Sequence, residues 1–453
     1  MLNSKAINPS PAVQLNNGNV MNLNSAYHKE QQSTIITKTS ISNLSNVFGN
    51  TVTQVDYQIT PHTSIDKCDF AVIELELECL GNDTPNAGLL GPVWHLFDHI
   101  DYMINSKTVD TIYPENLFQE LSYIDSNQLS IMAQALGYDP TSLFFPGNDS
   151  LIGNTSTSVK RFIPLLKGPL TSDINWKAVK STMTVRVFFK KQSDVITCGA
   201  SQNSLVSISL SNTQLTLGGV VYSPEVTNQI IDDHYSGKNF VAPCYGRRYG
   251  LFNLGTSLNT STSPKTVELS QFKGTFSNIS FFCKLQNNLT ENSFQSKLGG
   301  AISTISNNSL PVEYVIDKNA TFPWINLKYS PNSFNIDNIV LLDSTGSVGE
   351  FTAQNSGLFV KSGFDISDQS PFGSVYSIYN LNYSDNLGGM EGDFNLSAPI
   401  SGSRYIDGLY NLQLYFPSSI SGVTFDANVL LYVLALQECN IIVRDGKLDF
   451  VRH

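Results

Sequence analysis

The densest group of titratable side chains is Trp94-His95-Leu96-Phe97-Asp98-His99-Ile100-Asp101. On a helix, His95 and His99 would share one face at the spacing zinc enzymes use for two ligands. Gly91 and Pro92 just before them favour a turn. The stretch after them, Tyr102-Met103-Ile104-Asn105-Ser106-Lys107, reads as strand and turn. No third ligand of fixed geometry is evident, so surface or packed histidines are expected and no metal. Asp232-Asp233-His234 is a second cluster. Adjacent residues on a helix point in different directions and do not converge on one ion, so a solvated helix end is expected. Glu74, Glu76 and Glu78 form a row at period two. Such a row either holds a cation weakly or forms the wetted side of a strand. The second is expected, with charge on that face discouraging edge-to-edge pairing.

Arg247 and Arg248 lie between Tyr245 and Tyr249. They either grip a partner or form an ion pair at an interface or in a loop; the ion pair is expected. The nucleophile and phosphate motifs G-x-S-x-G, G-x-x-x-x-G-K-[ST], G-x-G-x-x-G and H-E-x-x-H are missing. Six histidines leave few general bases. Asp and Glu pairs are numerous, but a glycosidase sets its carboxylate separation by fold, and nothing singles out one pair. No catalytic residue, cofactor-binding residue, metal ligand or cofactor is therefore expected.

The elements that would carry these groups are mostly strands. From Asp69 to Cys79, the residues Ile73, Leu75, Leu77 and Cys79 fall on one face and the three glutamates on the other. That alternation marks a half-buried antiparallel strand. Met183, Val185, Val187 and Phe189 repeat the pattern, as do Val206, Ile208 and Leu210. Ile279, Phe281, Cys283 and Leu285 follow it, and so do Tyr410, Leu412, Leu414 and Phe416. An apolar run to Val443, then Arg444-Asp445-Gly446-Lys447, then Leu448 to Val451 predicts a terminal hairpin. Asp-Gly is its turn signal, because glycine accepts positive φ cheaply.

Helical spacing is rare. Pro114 and Glu115 open a segment with Leu117, Phe118, Leu121 and Ile124 at helical spacing. Asp125 and Gln128 form a capping box for a second short helix carrying Leu129, Met132, Ala133 and Leu136, which Gly137 would end. A third helix is expected from Pro224 to Tyr235 and a weak fourth from Asn292 to Leu298. Strands dominate and helices are insertions, so the class is all-β, sandwich or barrel. Residues 1–30 are polar, rich in Asn and without periodicity, and read as a flexible arm. Two strand-rich segments of similar length, 31–223 and 236–453, flank the helix at 224–235. Each has a size suited to an elaborated eight-stranded antiparallel jelly roll. No close sequence repeat joins the halves.

Length and composition set the bounds. A chain of 453 residues suits two or three domains, each able to bury a substantial core. With 41% hydrophobic residues it is not a disordered chain. With 27 Lys+Arg against 38 Asp+Glu, the net charge is −11, which argues against nucleic acid as the main partner. Only 14% of residues are charged, and Ser, Thr and Asn supply much of the polar surface. Cys68, Cys79, Cys198, Cys244, Cys283 and Cys439 form no C-x-x-C pair and read as buried small hydrophobes. The N-terminus shows no continuous apolar h-region, so no cleaved secretory signal is expected. The apolar run Val429 to Leu436 is far too short to span a bilayer. Triplets at Asn82, Asn259 and Asn319 are not read as glycosylation sites.

The order of pieces, arm, strand-rich half, linking helix, second half and closing strand pair, resembles the double jelly-roll major capsid proteins of tailless icosahedral viruses. That lineage includes phages with an internal membrane and, more distantly, adenovirus hexon. The likeness rests on the Glu74–Glu78 strand, Trp94–Lys107 with the helices after it, the Thr182–Leu217 strands and Val429–Val451. It is a likeness of architecture, since the family has almost no short fixed motif and no catalytic residues. It implies a homotrimer of pseudo-hexagonal outline, two jelly rolls per subunit, tiled into an icosahedral shell. It implies contacts with neighbouring capsomers and with penton or minor capsid proteins, and leaves open an internal membrane beneath the shell. It implies a place in the virion after synthesis in the host cytoplasm, with no sequence-specific nucleic acid binding. Uncharged Ser, Thr and Asn faces desolvate at lower cost than charged ones, which suits walls that pack against copies. A carbohydrate- or receptor-binding β-sandwich, such as a spike or adhesin, is the alternative, with Tyr245, Tyr249, Tyr379 and Tyr383 available to stack on sugar. A glycoside hydrolase on a β scaffold is the third reading.

Overall fold

The computed structural model describes residues 12–14, 20–22, 35–37, 44–59, 65–80, 88–121, 126–139, 142–146, 151–152, 156–166, 168–197, 207–236, 240–257, 265–285, 338–343, 346–352, 359–363, 377–382, 404–407, 411–415 and 424–453. Asn292 to Leu298, Asp125, Cys198 and Tyr383 lie outside them. Within the segment expected to be an arm, Ala12–Gln14 and Val20–Asn22 pair as a small antiparallel ribbon.

The first half is built from β1 (Ile35–Thr37), β2 (Thr53–Ile59), β3 (Lys67–Leu80), β4 (Phe97–Ile104), β5 (Lys107–Ile112), β6 (Thr157–Pro164), β7 (Met183–Phe189) and β8 (Ser207–Val220). They form two four-stranded antiparallel sheets, in the orders β6-β3-β8-β1 and β2-β7-β4-β5. Alternation decides which side each residue takes. Ile73, Leu75, Leu77 and Cys79 of β3 point inward and are buried, as are Met183, Val185, Val187 and Phe189 of β7. The two inner faces share one apolar core. Each fully buried Val, Leu, Ile or Phe side chain adds about 1.5–3 kcal/mol over leaving it in water.

The helices fall close to their sequence signals: α1 (Pro114–Leu121), α2 (Ser126–Leu136) and α3 (Pro224–Tyr235). α1 and α2 are inserted between β5 and β6. Gly137 ends α2 at φ +74°, donating to the carbonyl of Ala133, a left-handed stop that a side chain would strain.

The second half contains β9 (Phe240–Ser257), β10 (Lys265–Glu268), β11 (Lys273–Leu285), β12 (Asn338–Asp343), β13 (Gly346–Thr352), β14 (Phe359–Gly363), β15 (Ser377–Asn382), β16 (Arg404–Asp407), β17 (Asn411–Tyr415), β18 (Thr424–Arg444) and β19 (Lys447–Arg452). One sheet runs β9-β18-β11-β15-β14, with β16 against β11 and β19 against β18; the other runs β10-β17-β12-β13. Placed beside the first half, β9, β18, β11 and β15 take the places of β1, β8, β3 and β6. Likewise β10, β17, β12 and β13 take the places of β2, β7, β4 and β5. Both halves therefore follow one jelly-roll winding, a repeat carried by topology with no matching repeat in sequence.

Asp445 and Gly446 turn the chain between β18 and β19 at φ +50° and +78°, the two-residue hairpin that Asp-Gly predicts. Its tip reaches the first half: the Gly446 carbonyl accepts from the backbone N–H of Lys180 at 2.7 Å and of Ser181 at 3.2 Å. Ser181 Oγ in turn accepts from the N–H of Leu448 at 2.9 Å. Ala242, Cys244, Ile441, Val443 and Leu448 belong to the same apolar cluster as the first sandwich, so the two sandwiches share a core.

Candidate functional site

Buried charge collects where the two sandwiches meet. Arg247 on β9 is 4% exposed, Asp110 on β5 and Glu120 on α1 1% each. Arg247 Nε and Nη2 donate to the two oxygens of Glu120 at 2.6 and 3.1 Å. Its Nη1 donates to Asp110 Oδ2 at 2.9 Å, and its backbone N–H to Asp110 Oδ1 at 2.8 Å. Arg452 on β19 adds a second guanidinium, with Nη2 donating to Asp110 Oδ1 at 2.9 Å and to the Val109 carbonyl at 2.8 Å. Its Nη1 reaches the Arg247 carbonyl at 3.1 Å. Two carboxylates of the first half thus meet two guanidiniums of the second, and the charges balance. Burial alone would lower the pKa of Arg247, but Glu120 and Asp110 outweigh it and hold the group above its ordinary value. Arg248 is lowered by burial and by Arg452; its Nε donates to Gln437 Oε1 at 2.8 Å.

A second junction holds the linking helix. Asp66 is fully buried and accepts from Asn175 Nδ2 at 2.9 Å, Lys177 Nζ at 2.7 Å, the Tyr222 N–H at 3.0 Å and Thr227 Oγ1 at 2.8 Å. Thr227 lies on α3, so one carboxylate ties the connector to the first sandwich. Four donors on two oxygens satisfy the buried charge that burial would otherwise penalise.

The outer faces are polar sheet surfaces. On the β2-β7-β4-β5 sheet, Arg186 forks onto Asp56 with two bonds of 2.7 Å. Asp101 accepts from Thr111 at 2.7 Å, and His99 stacks on Phe188 at 4.0 Å. On the other sheet, Glu74 accepts from Gln214 and from Thr216. Tyr113 of the first half stacks on Tyr249 of the second at 4.3 Å, continuing the surface across the junction. Among the described residues, the large apolar side chains left exposed are Val52, Phe70, Leu80, Ile131, Val241 and Leu251.

The sequence-predicted groups land as follows. His95 closes a short 3-10 turn and His99 lies in β4, so the two never share a helix face. Among the described residues, no group of three His, Cys, Asp or Glu could hold a metal ion. The glutamate row lies on β3, which is flanked by β6 and β8; it is a central strand, so these charges guard no edge. Asp232 is exposed, but Asp233 is buried, so that helix end is only partly solvated. Arg247 forms the expected ion pair, at a junction between halves and on a strand. Tyr245 is 1% exposed and cannot stack on a sugar. Tyr249 faces Tyr113, and Tyr379 lies on β15.

Asp110, Glu120, Asp66 and Arg452 were not singled out from the sequence. Asp110 carried a usable signal, since it shares the inward phase of β5 with Ile112. Glu120 shares the helical face of Leu117. A charge in phase with an apolar face is a buried charge in search of a partner.

No protein-family model and no curated protein sequence matches the chain. Solved structures do match. The capsid of the virus PBCV-1 aligns over 94% of this chain and 98% of its own, with TM-score 0.59 and 13% identity. PBCV-1 VP54, fitted into a reconstruction of the virophage Sputnik, aligns over the same shares with TM-score 0.61 and 11% identity. The Faustovirus major capsid protein aligns over 92% of this chain and 91% of its own, with TM-score 0.54 and 11% identity. With two jelly rolls of one winding, a shared core and alignment over more than nine-tenths of its length, the chain has the double jelly-roll fold of viral major capsid proteins.

Proposed function

We propose that the chain is a major capsid protein, a structural subunit that trimerises into pseudo-hexameric capsomers and tiles an icosahedral virion shell. The observation that carries this reading is the pair of identically wound sandwiches held by the Arg247–Asp110–Glu120–Arg452 junction. Three copies of two similar walls present six similar sides, which is how a threefold object fills a hexagonal lattice. A rigid junction is what that geometry needs, because tiling fails if the two walls swing. The work of such a chain is contact with its own copies, without catalysis. In this reading residues 1–30 are the arm, 31–223 and 236–453 the two jelly-roll units, and 224–235 the linking helix. Penton or minor capsid proteins and a membrane beneath the shell are the further partners. The protein's place is the virion after synthesis in the host cytoplasm.

Light scattering of the purified protein, followed by negative-stain imaging at high concentration, tests the proposal. A trimer mass with hexagonal particles is expected. A strictly monomeric species at high concentration overturns it.

A further inference from the structure

Cys244 and Cys439 are far apart in the sequence, yet β9 and β18 place them directly opposite each other. Directly opposed residues on an antiparallel pair point to the same face, with Cα atoms about 4.5–5.5 Å apart. A disulfide needs roughly 4.4–6.8 Å between Cα atoms, so this register meets its first requirement. Both side chains face the shared core and are 1% exposed. Both are free thiols. A β-carbon on Gly246 would stand 2.7 Å from Cys439 Sγ, so glycine there leaves the thiol the room it occupies and turns in. Cys68 and Cys79 face no cysteine across their ladders: Cys68 opposes Gly219, and Cys79 opposes Thr157 and Ile208.

We infer that Cys244 and Cys439 form a cross-strand dithiol that closes to a disulfide when the protein meets an oxidising environment, stapling the first strand of the second sandwich to its penultimate one. The oxidant is a small-molecule disulfide of the glutathione type. One cysteine thiolate attacks it, forming a mixed disulfide and releasing one small thiolate. The second cysteine thiolate attacks the protein sulfur of that mixed disulfide, closing the Cys244–Cys439 bond and releasing the second small thiolate. The two protons lost by the cysteines end on the two small thiols, and the two electrons reduce the oxidant. Access comes through β9, the terminal strand of its sheet, whose local opening exposes Cys244. Burial raises both thiols, so closure is slow at neutral pH and faster in mild alkali. A reducing cytoplasm keeps the pair open while subunits fold and assemble, and an oxidising exterior closes it. The staple lies beside Arg452 and Gly246, so it would harden the wall at the junction between halves.

The test uses the full chain purified under reducing conditions. It is incubated with glutathione disulfide in mild alkali, quenched with a maleimide, digested without reduction and mapped by mass spectrometry. The expected result is a linked peptide pair containing Cys244 and Cys439, and a higher midpoint of thermal unfolding than the reduced sample. Cys244→Ala and Cys439→Ala should each lose the linked pair and the gain in midpoint. Recovery of both cysteines carrying maleimide in the wild-type chain overturns the inference without reference to any variant. So does linkage to other cysteines, or an oxidised form that melts below the reduced one. Light scattering on the reduced sample reads self-association separately, so a failure of the staple is distinct from a failure of the capsid reading.

Discussion

Tyr57 donates its hydroxyl hydrogen to Thr213 Oγ1 across the core of the first sandwich, joining β2 of one sheet to β8 of the other. Thr213 spends its own hydrogen on the Glu74 carbonyl at 2.8 Å, which fixes Tyr57 as the donor. The bond is a polar pin between two apolar faces, and burial holds the tyrosine hydroxyl well above its ordinary pKa.

The two ends of that pin differ in cost. Tyr57→Phe leaves Thr213 bonded to Glu74 and removes only one acceptor contact, so a loss of about 1 kcal/mol is expected. Thr213→Val strands a tyrosine hydroxyl in a dry core and frees the Glu74 carbonyl, for about 2–3 kcal/mol. Denaturant titration of both variants should rank them in that order; equal losses would mean that the hydroxyl finds another partner.

The junction should behave as one unit. Arg247→Met leaves Glu120 without its ionic partner and Asp110 with Arg452 alone, and breaking a buried pair from one side costs about 3–5 kcal/mol. Restoring neutrality by adding Glu120→Gln should recover part of that loss, because the carboxylate left without a partner is removed while Asp110 keeps Arg452. Unfolding of Arg247→Met followed by two probes, one in each half, should separate into two transitions. A single unchanged transition would show that apolar contacts alone hold the halves together.

Alkaline pH should weaken the fold in a defined window. Burial raises the Cys79 thiol from 9.0 to about 11 and the Cys439 thiol to about 12, against smaller lowering effects led by Arg161 and Arg452 respectively. Above the unfolded value near 9, thiols of the unfolded chain lose protons that the folded chain keeps. The unfolded state then binds fewer protons, so stability falls as pH rises and is flat below that point. Each thiol contributes a slope of about 1.4 kcal/mol per pH unit between its unfolded and folded values. Cys79→Ala should remove its share of the slope between pH 9 and 11, read from denaturation midpoints across the series.

Much of this was legible because β-structure writes itself in single residues. The alternation from Ile73 to Cys79, the Asp445-Gly446 turn and the helix from Pro224 to Tyr235 are local facts, and they fold where their spacing says. The pairing of β9 with β18 and the ion cluster are not local. Arg247 meets Asp110 and Glu120 only after two sandwiches dock, and no spacing rule spans that distance. The wet face of the glutamate row follows from local alternation, but its central place depends on which strands flank it. The histidine pair looked like metal ligands only under a helical period that the strand at Phe97–Ile104 does not have.

If the walls exist to meet copies of the chain, their exposed apolar residues should matter to association and not to folding. Val241 is 46% exposed and Leu251 47%, both on β9, where the register sets them on one face of the strand. A side chain already half in water loses little on becoming charged, so Leu251→Asp should leave the unfolding free energy within about 0.5 kcal/mol of the parent. In a contact between copies the same carboxylate must be desolvated without a partner, and association should weaken at least tenfold, about 1.4 kcal/mol. Light scattering across a concentration series measures this directly. A variant that assembles like the parent would take this face of β9 out of the contact, while a variant that no longer folds would contradict the exposure of Leu251.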